Sequence, residues 1–276
     1  MRLIDSHGHL QAEAFASDRD EVAVAARMAG VERILAPGWD LASTQAGLDV
    51  AASLDFVDAS AGVHPHAAAA VDELAWAEIA MLARDERVVA IGETGLDYDR
   101  VFSPREAQLT NLRRNLALAL ATGKPAILHC RSRRGERDAQ DELIAELHAA
   151  GVGGSAWAAA FGDRPPALLH SFSGPPDYAA AALDLGLAIS FSGLAFRVGE
   201  EATAHVAAMV PDERLLVETD APYLSPPGAP RRRNEPRWVE VTARWLAERR
   251  SCPPESLGEL LVANYGRIFR AGLGSS

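Results

Sequence analysis

The chain has 276 residues, 48% hydrophobic and 24% charged, with 27 basic against 38 acidic side chains and a formal net charge of −11. That composition supports a sizeable buried core and excludes a disordered, collagen-like or disulfide-framework chain. An acidic chain is also a poor non-specific binder of nucleic acid, so any such substrate has to be held by a local basic patch or by metal ions.

The first apolar run, Arg2-Leu3-Ile4, ends in Asp5-Ser6-His7-Gly8-His9. On a strand, side chains at i and i+2 point to one side, so His7 and His9 are expected to project together as half of a metal site. Further strands are expected over residues 33–37, 56–63, 88–93, 126–130, 167–172, 188–193 and 215–220. These runs are rich in Ile, Val, Leu and Ala without clean alternation, as in strands covered on both faces. Between them the spacing predicts helices over 19–29, 73–84, 104–122, 138–150 and 177–185, with two more over 235–250 and 254–271. Eight strands, each followed by a helix, is the count of a TIM (β/α)8 barrel, an α/β fold that typically takes ~250 residues. Residues 1–276 are accordingly read as a single domain. Residues 151–166, with Gly153-Gly154-Ser155 and Pro165-Pro166, form a long loop or extra turn before the sixth strand, on the face opposite a barrel's active site.

Ligand-type residues recur where strands are expected to end: His7 and His9, then Glu93, His129, His170 and Asp220. Each has a structural use of its own as a cap or a hydrogen-bonded core group. Independent structural needs would scatter these types over both strand ends, so their joint placement favours an amidohydrolase-like metal site at the C-terminal face. Four histidines and two carboxylates exceed the three protein ligands of a catalytic zinc and suit two divalent ions ~3.5–4 Å apart. Glu93 is the expected bridge, joining His7, His9 and Asp220 on one ion to His129 and His170 on the other. A carbamylated lysine is excluded as bridge, because the one lysine, Lys124, precedes the fifth strand at the wrong end. Magnesium, manganese and zinc all remain open. Cys130, next to His129, is expected to face the other way and to be structural.

Several motifs carry a resemblance: Asp5-Ser6-His7-Gly8-His9-Leu10, Gly62-Val63-His64-Pro65-His66, Ile91-Gly92-Glu93-Thr94-Gly95-Leu96-Asp97-Tyr98, Leu128-His129-Cys130-Arg131, His170-Ser171-Phe172-Ser173-Gly174 and Glu218-Thr219-Asp220-Ala221-Pro222-Tyr223-Leu224. Asn234-Glu235-Pro236 and Asn264-Tyr265-Gly266-Arg267-Ile268-Phe269 extend it to the C-terminal helices. In this order they resemble the TatD family of metal-dependent deoxyribonucleases. The resemblance implies a TIM-barrel hydrolase that acts as a divalent-metal nuclease, typically a 3′→5′ exonuclease on DNA. The chain departs from the family pattern after Arg131, where Ser132-Arg133-Arg134 replaces an acidic-small pair. It departs again in Asp99-Arg100 after Tyr98 and in the insertion-like 151–166.

Phosphodiester hydrolysis by two ions would make Asp220, beside the attacking water, the general base, with Glu93 the other catalytic carboxylate. His64 is expected to contact the scissile phosphate or a further ion, a role the resemblance favours for it over His66, and His66 is expected at the surface. Arg131 follows a ligand and is placed to clamp a phosphate. Arg133, Arg134 and Arg137, and then Arg231-Arg232-Arg233, are expected to steer phosphate on the same face. Tyr98 and Tyr223, with Phe102 and Phe196, are candidates to stack unpaired bases of single-stranded or frayed DNA. An amidohydrolase or lactonase acting on a small C–N or C–O bond is the competing enzyme reading, because fold does not dictate function; a non-catalytic metal-binding interaction protein is a further, less favoured one. Sparse cysteine, no leader pattern and no apolar run of membrane length point to a cytoplasmic protein without a membrane partner.

Overall fold

A computed structural model describes residues 1–269. Its eight strands are β1 (Leu3–Asp5), β2 (Val31–Ala36), β3 (Val57–Ala61), β4 (Val88–Asp97), β5 (Ala126–Arg131), β6 (Ala167–Leu169), β7 (Ala188–Phe191) and β8 (Leu215–Val217). They pair in parallel and in chain order. The seam between β8 and β1 is drawn together by the Ser6 N–H donating to Val217 O at 3.0 Å and the Asp220 N–H donating to His7 O at 2.8 Å. Every residue of β3, β4, β7 and β8 is buried, which is why these runs lack a period of two. The fold is that of a TIM barrel, as expected.

Helices cover the outside: α1 (Arg19–Met28), α2 (Leu41–Ser53), α3 (Glu73–Leu82), α4 (Arg105–Thr122), α5 (Asp138–Ala149), α6 (Ser155–Phe161), α7 (Pro176–Asp184), α8 (Glu201–Met209), α9 (Val239–Arg249) and α10 (Pro254–Phe269). The expected last helix extended to residue 271; residues 270–271 lie outside the described residues. Helix α10 packs on β1 and β8 and so covers the seam. Its Tyr265 hydroxyl donates to buried Asp58 at 2.8 Å, and Arg33 donates to the same carboxylate at 2.6 Å. No described helix is long and apolar enough to cross a membrane.

Three local differences from the sequence reading matter for the site. Strands β1 and β8 stop at Asp5 and Val217, so His7, His9 and Asp220 stand on loops and the i, i+2 strand argument does not apply to the histidine pair. The chain bends at Ser6 and His7 and packs closely at Gly8, where a Cβ would lie 2.6 Å from Asp5 Oδ2. Strand β4, by contrast, runs four residues past Glu93. Between Ile91 and Thr94 it spends three steps where β5 spends two, from Ala126 to Leu128, so Glu93 lies in a bulge. Lastly, residues 151–166, expected as a long loop or extra turn, hold a short helix. Helix α6 buries Trp157 and Phe161, and the Trp157 Nε1–H donates to Ala150 O at 3.0 Å.

Candidate metal centre

The bulge in β4 is built by small groups. Ser60 Oγ donates to Gly92 O, and the Glu93 N–H donates to Gly38 O at 2.6 Å. Two residues on, Gly95 has φ +135°, and a Cβ there would overlap the His129 carbonyl. β4 and β5 therefore run close enough for Glu93 and His129 to meet.

Glu93 is the hub. Its Oε1 lies 3.0 Å from His129 Nδ1, 3.0 Å from His170 Nε2 and 3.2 Å from His64 Nε2. Its Oε2 lies 3.3 Å from His7 Nε2. Asp220 Oδ1 is 3.1 Å from His9 Nε2 and 3.8 Å from His7 Nε2. The His7 and His170 rings stack at 4.0 Å. All six residues singled out as ligands thus converge at the C-terminal mouth of the barrel. Three groups have donor atoms close enough to share an ion: His7, His170 and Asp220; His7, His9 and Glu93; and His64, Glu93 and His129. His64, expected to meet the phosphate or a further ion, stands among the donors. His170 groups with His7 and Asp220, and its Nε2 also lies 3.4 Å from His129 Nδ1, both nitrogens 3.0 Å from the same Glu93 oxygen.

The surrounding network was missed in the sequence. Glu218 Oε1 lies 3.1 Å from His170 Nδ1, and its Oε2 accepts from Ser190 Oγ at 2.6 Å, which aims the other ring nitrogen of His170 at Glu93. Asp97 Oδ2 lies 2.7 Å from His66 Nε2, 3.4 Å from His129 Nε2 and 3.5 Å from Arg131 Nη1. Asp5 accepts from the Thr219 N–H at 2.9 Å and from its hydroxyl, tying the loop after β8 to the end of β1. The spacings Asp5-x-His7 and Glu218-x-Asp220 carried a usable signal, since a carboxylate two residues before a ligand recurs at the ends of both β1 and β8. His66 is corrected from a surface imidazole to Asp97's partner, and its ring packs edge-on to His64 at 4.3 Å.

Electrostatics prepare the donors. Burial raises the Glu93 carboxyl, but His64, His170 and His7 more than offset this and hold it well below the usual carboxylate range. Asp220 is likewise held low, against its burial, by His9 and then His7. Burial lowers His7, helped by His170, and takes His64 to about 4 against the pull of Glu93. His170 moves the other way: Glu93 and Glu218 raise it well above the usual imidazole value in spite of its burial. At neutral pH the hub carboxylates are ionised and His7 and His64 are neutral, the protonation states that a metal requires of its ligands.

The fit to a metal rests on His7. Its ring is fully buried, and neither nitrogen makes a hydrogen bond, although carboxylate oxygens lie 3.3 and 3.8 Å away. An unbonded buried imidazole is costly unless another partner claims the lone pair. A cation between His7, Glu93 and Asp220 would satisfy all three at once. Asp220 holds its place at φ +55°, a left-handed conformation rare outside glycine, pinned by its own N–H to His7 O and by the Tyr223 N–H to its carbonyl at 2.8 Å.

The substrate candidates divide. Arg131 is partly exposed beside Asp97 at the edge of the cluster. Tyr223 is 59% exposed, with its ring 5.7 Å from that of His9. Phe102 is 69% exposed against His66. Tyr98 is corrected: it is 6% exposed, its hydroxyl donates to Glu142 on α5, and Arg105 covers its ring at 4.6 Å, so it offers no face to a base. It is the first residue after β4, in the turn that follows Asp97, and its ring lies on the outside against α4 and α5. Among the expected steering arginines, Arg137 is paired with Asp141 and Asp177, and Arg233 with Asp18. Cys130 does face away from the cluster, toward Tyr178, and burial pushes its thiol up to about 12.

A family model described as TatD related DNase matches residues 4–270. A metal-dependent hydrolase, YabD, from Bacillus subtilis is 33% identical over 273 residues, covering 97% of this chain and 99% of that protein. A 3′-5′ ssDNA/RNA exonuclease, TatD, from Dickeya dadantii is 37% identical over 279 residues, covering 98% of each. Among solved structures, YjjV, a TatD homologue from Escherichia coli, superposes with a TM-score of 0.83 at 27% identity over 98% of both chains.

Proposed function

The chain belongs to the TatD-related DNase family of metal-dependent hydrolases, and from that premise we propose that it is a 3′→5′ exonuclease of single-stranded nucleic acid, DNA foremost, working with two divalent ions. The observation that carries the reading is the hub at Glu93: two carboxylate oxygens facing four imidazoles, one of which, His7, makes no hydrogen bond through either ring nitrogen. One ion is assigned to His7, His9, Asp220 and Glu93, the other to Glu93, His129 and His170, with His64 as a further donor. When bound, such ions supply Lewis-acid activation of water and neutralise charge on the attacking and leaving oxygens.

The chain's own groups do the rest. Asp220, ionised and hydrogen-bonded to His9 at 3.1 Å, accepts the proton of the attacking water. Glu218 and Asp97 hold His170 and His129 in orientation. Arg131 reaches a phosphate oxygen as it leaves Asp97. Tyr223 stacks a base beside His9. We place the enzyme in the cytoplasm.

The test is a gel assay of 3′- and 5′-labelled single-stranded DNA and RNA with chelator-treated protein reloaded with Mg²⁺, Mn²⁺ or Zn²⁺. Release of the 3′ label in the first cut and shortening of the 5′-labelled strand one nucleotide at a time, both abolished by Asp220→Asn, are expected. Turnover of lactones or cyclic amides with intact nucleic acid would replace this reading by the small-molecule one.

A further inference from the structure

Beside the metal centre lies a cavity of about 820 Å³ between the loop after β7 and the loop after β8. Its lining includes Phe196, Arg197, Tyr223, Arg231 and Arg232. Most arginines of this acidic chain are committed: Arg33 to Asp58, Arg113 to Glu146, Arg114 to Glu73, Arg233 to Asp18 and Arg250 to Asp212. The guanidinium groups of Arg197, Arg231 and Arg232 make no ion pair or hydrogen bond among the described residues, and all three are exposed. Three unspent cations therefore face one hollow in a protein of net charge −11. Such a concentration of one sign in a concave site attracts a polyanion.

The hollow also has apolar walls. Tyr223 forms one side and touches the centre through the His9 ring, while Phe196 on the loop after β7 rests edge-on to Trp245 at 5.8 Å and is held in place. The loop that carries Tyr223 is fixed by Asn234, whose Nδ2 donates to Thr219 O at 2.8 Å and to Tyr223 O at 2.7 Å. Aromatic faces alternating with cations are the recognition chemistry of an unpaired strand, bases on the rings and phosphates on the arginines. The volume lies toward the upper end for ligand pockets, ~300–1,000 Å³.

We infer that this cavity is a subsite for the retained part of the strand: the nucleotides next to the scissile phosphodiester lie over Tyr223 and Phe196, with their phosphates on Arg197, Arg231 and Arg232. The subsite rests on the nuclease reading and adds to it a prediction about length. Affinity should rise as nucleotides are added beyond a dinucleotide, and the gain should come from these residues.

The experiment measures KM for oligodeoxythymidylates of two to six nucleotides, using metal-loaded wild type, Arg231→Ala/Arg232→Ala and Tyr223→Leu. In parallel, anisotropy of a labelled hexanucleotide is read across a salt series with chelated protein. In wild type KM falls with length; in each variant the ratio of dinucleotide to hexanucleotide KM drops about tenfold, the order expected for one lost stacking or phosphate contact. The double-arginine variant also flattens the salt slope by about 1.4, at ~0.7 per phosphate contact. Hydrolysis with an unchanged length ratio and slope would overturn the subsite and leave the nuclease reading standing. No hydrolysis of any oligonucleotide by wild type would overturn both.

Discussion

Glu93 faces four imidazoles, whereas His9 meets one carboxylate, so their losses should differ in kind. Glu93→Gln keeps the volume but removes the charge that every proposed ligand set shares, and should lose nearly all bound metal and activity. His9→Ala removes one donor from one ion and should retain a substantial part. Elemental analysis of both purified variants decides it; equal metal content would remove Glu93 as the bridge. A second difference lies among the arginines. Arg233 donates to Ala14 O and to Asp18 and lies 4.8 Å from the Phe15 ring, so it acts as a clamp between the loop after β8 and the start of the chain. Arg233→Ala is expected to lower stability by about 1–2 kcal/mol, within the range for lost charge-assisted hydrogen bonds, while the salt slope of strand binding stays that of wild type. A urea melt and the same salt series separate the two effects.

Helix α6 and strand β4 show how an element serves or ignores the site. The bulge in β4 brings Glu93 into the mouth and carries the strand on to Asp97, so one strand supplies both the hub and the carboxylate that holds His66 and His129. Helix α6 lies before β6, at the opposite end of the barrel from the cluster. Trp157 is 2% exposed and stacks on Phe161 at 5.5 Å. Trp157→Ala should cost about 3–5 kcal/mol, as for other buried aromatic truncations. Turnover per folded molecule should remain that of wild type. Denaturant midpoints and kcat at low temperature give the two readings; a loss of kcat would mean that α6 is coupled to the mouth.

At the scale of the whole molecule, the metal centre gathers donors from β4, β5 and the loops after β1, β3, β6 and β8. An ion that binds these together binds the folded chain and has no equivalent site in the unfolded one. Its stabilisation follows RT ln(1 + [L]/Kd), about 2.7 kcal/mol at a hundredfold excess over Kd. For a chain of this size that is a rise in Tm of roughly 5–10 °C. Melting chelated protein against protein reloaded with divalent metal checks it, and identical curves would contradict a metal held by several strands at once. The protein should be stable without metal as well, because the seam is closed independently by α10 and by the Ser6–Val217 hydrogen bond.

Sequence alone determined the alternation of apolar runs and helical stretches, hence the barrel, and the residue types that stand just after its strands. Both follow from local periodicity, which needs no knowledge of what is near what. The Glu-x-Asp and Asp-x-His spacings were there to be read as well, but their partners were not: Glu218 meets His170 across 48 positions, and Asp5 meets Thr219 across 214. Such pairs exist only once the barrel has closed. The direction of a side chain near a strand end was equally out of reach. A single extra residue in β4 resets which positions face the mouth, and so it put Asp97 inward and Tyr98 among the helices. Likewise, a run of three arginines reads as uniform charge until the fold shows that Arg233 is paired with Asp18 and that Arg231 and Arg232 are left for a ligand. Charge is a property of composition, whereas its availability depends on which carboxylates the tertiary structure brings within reach.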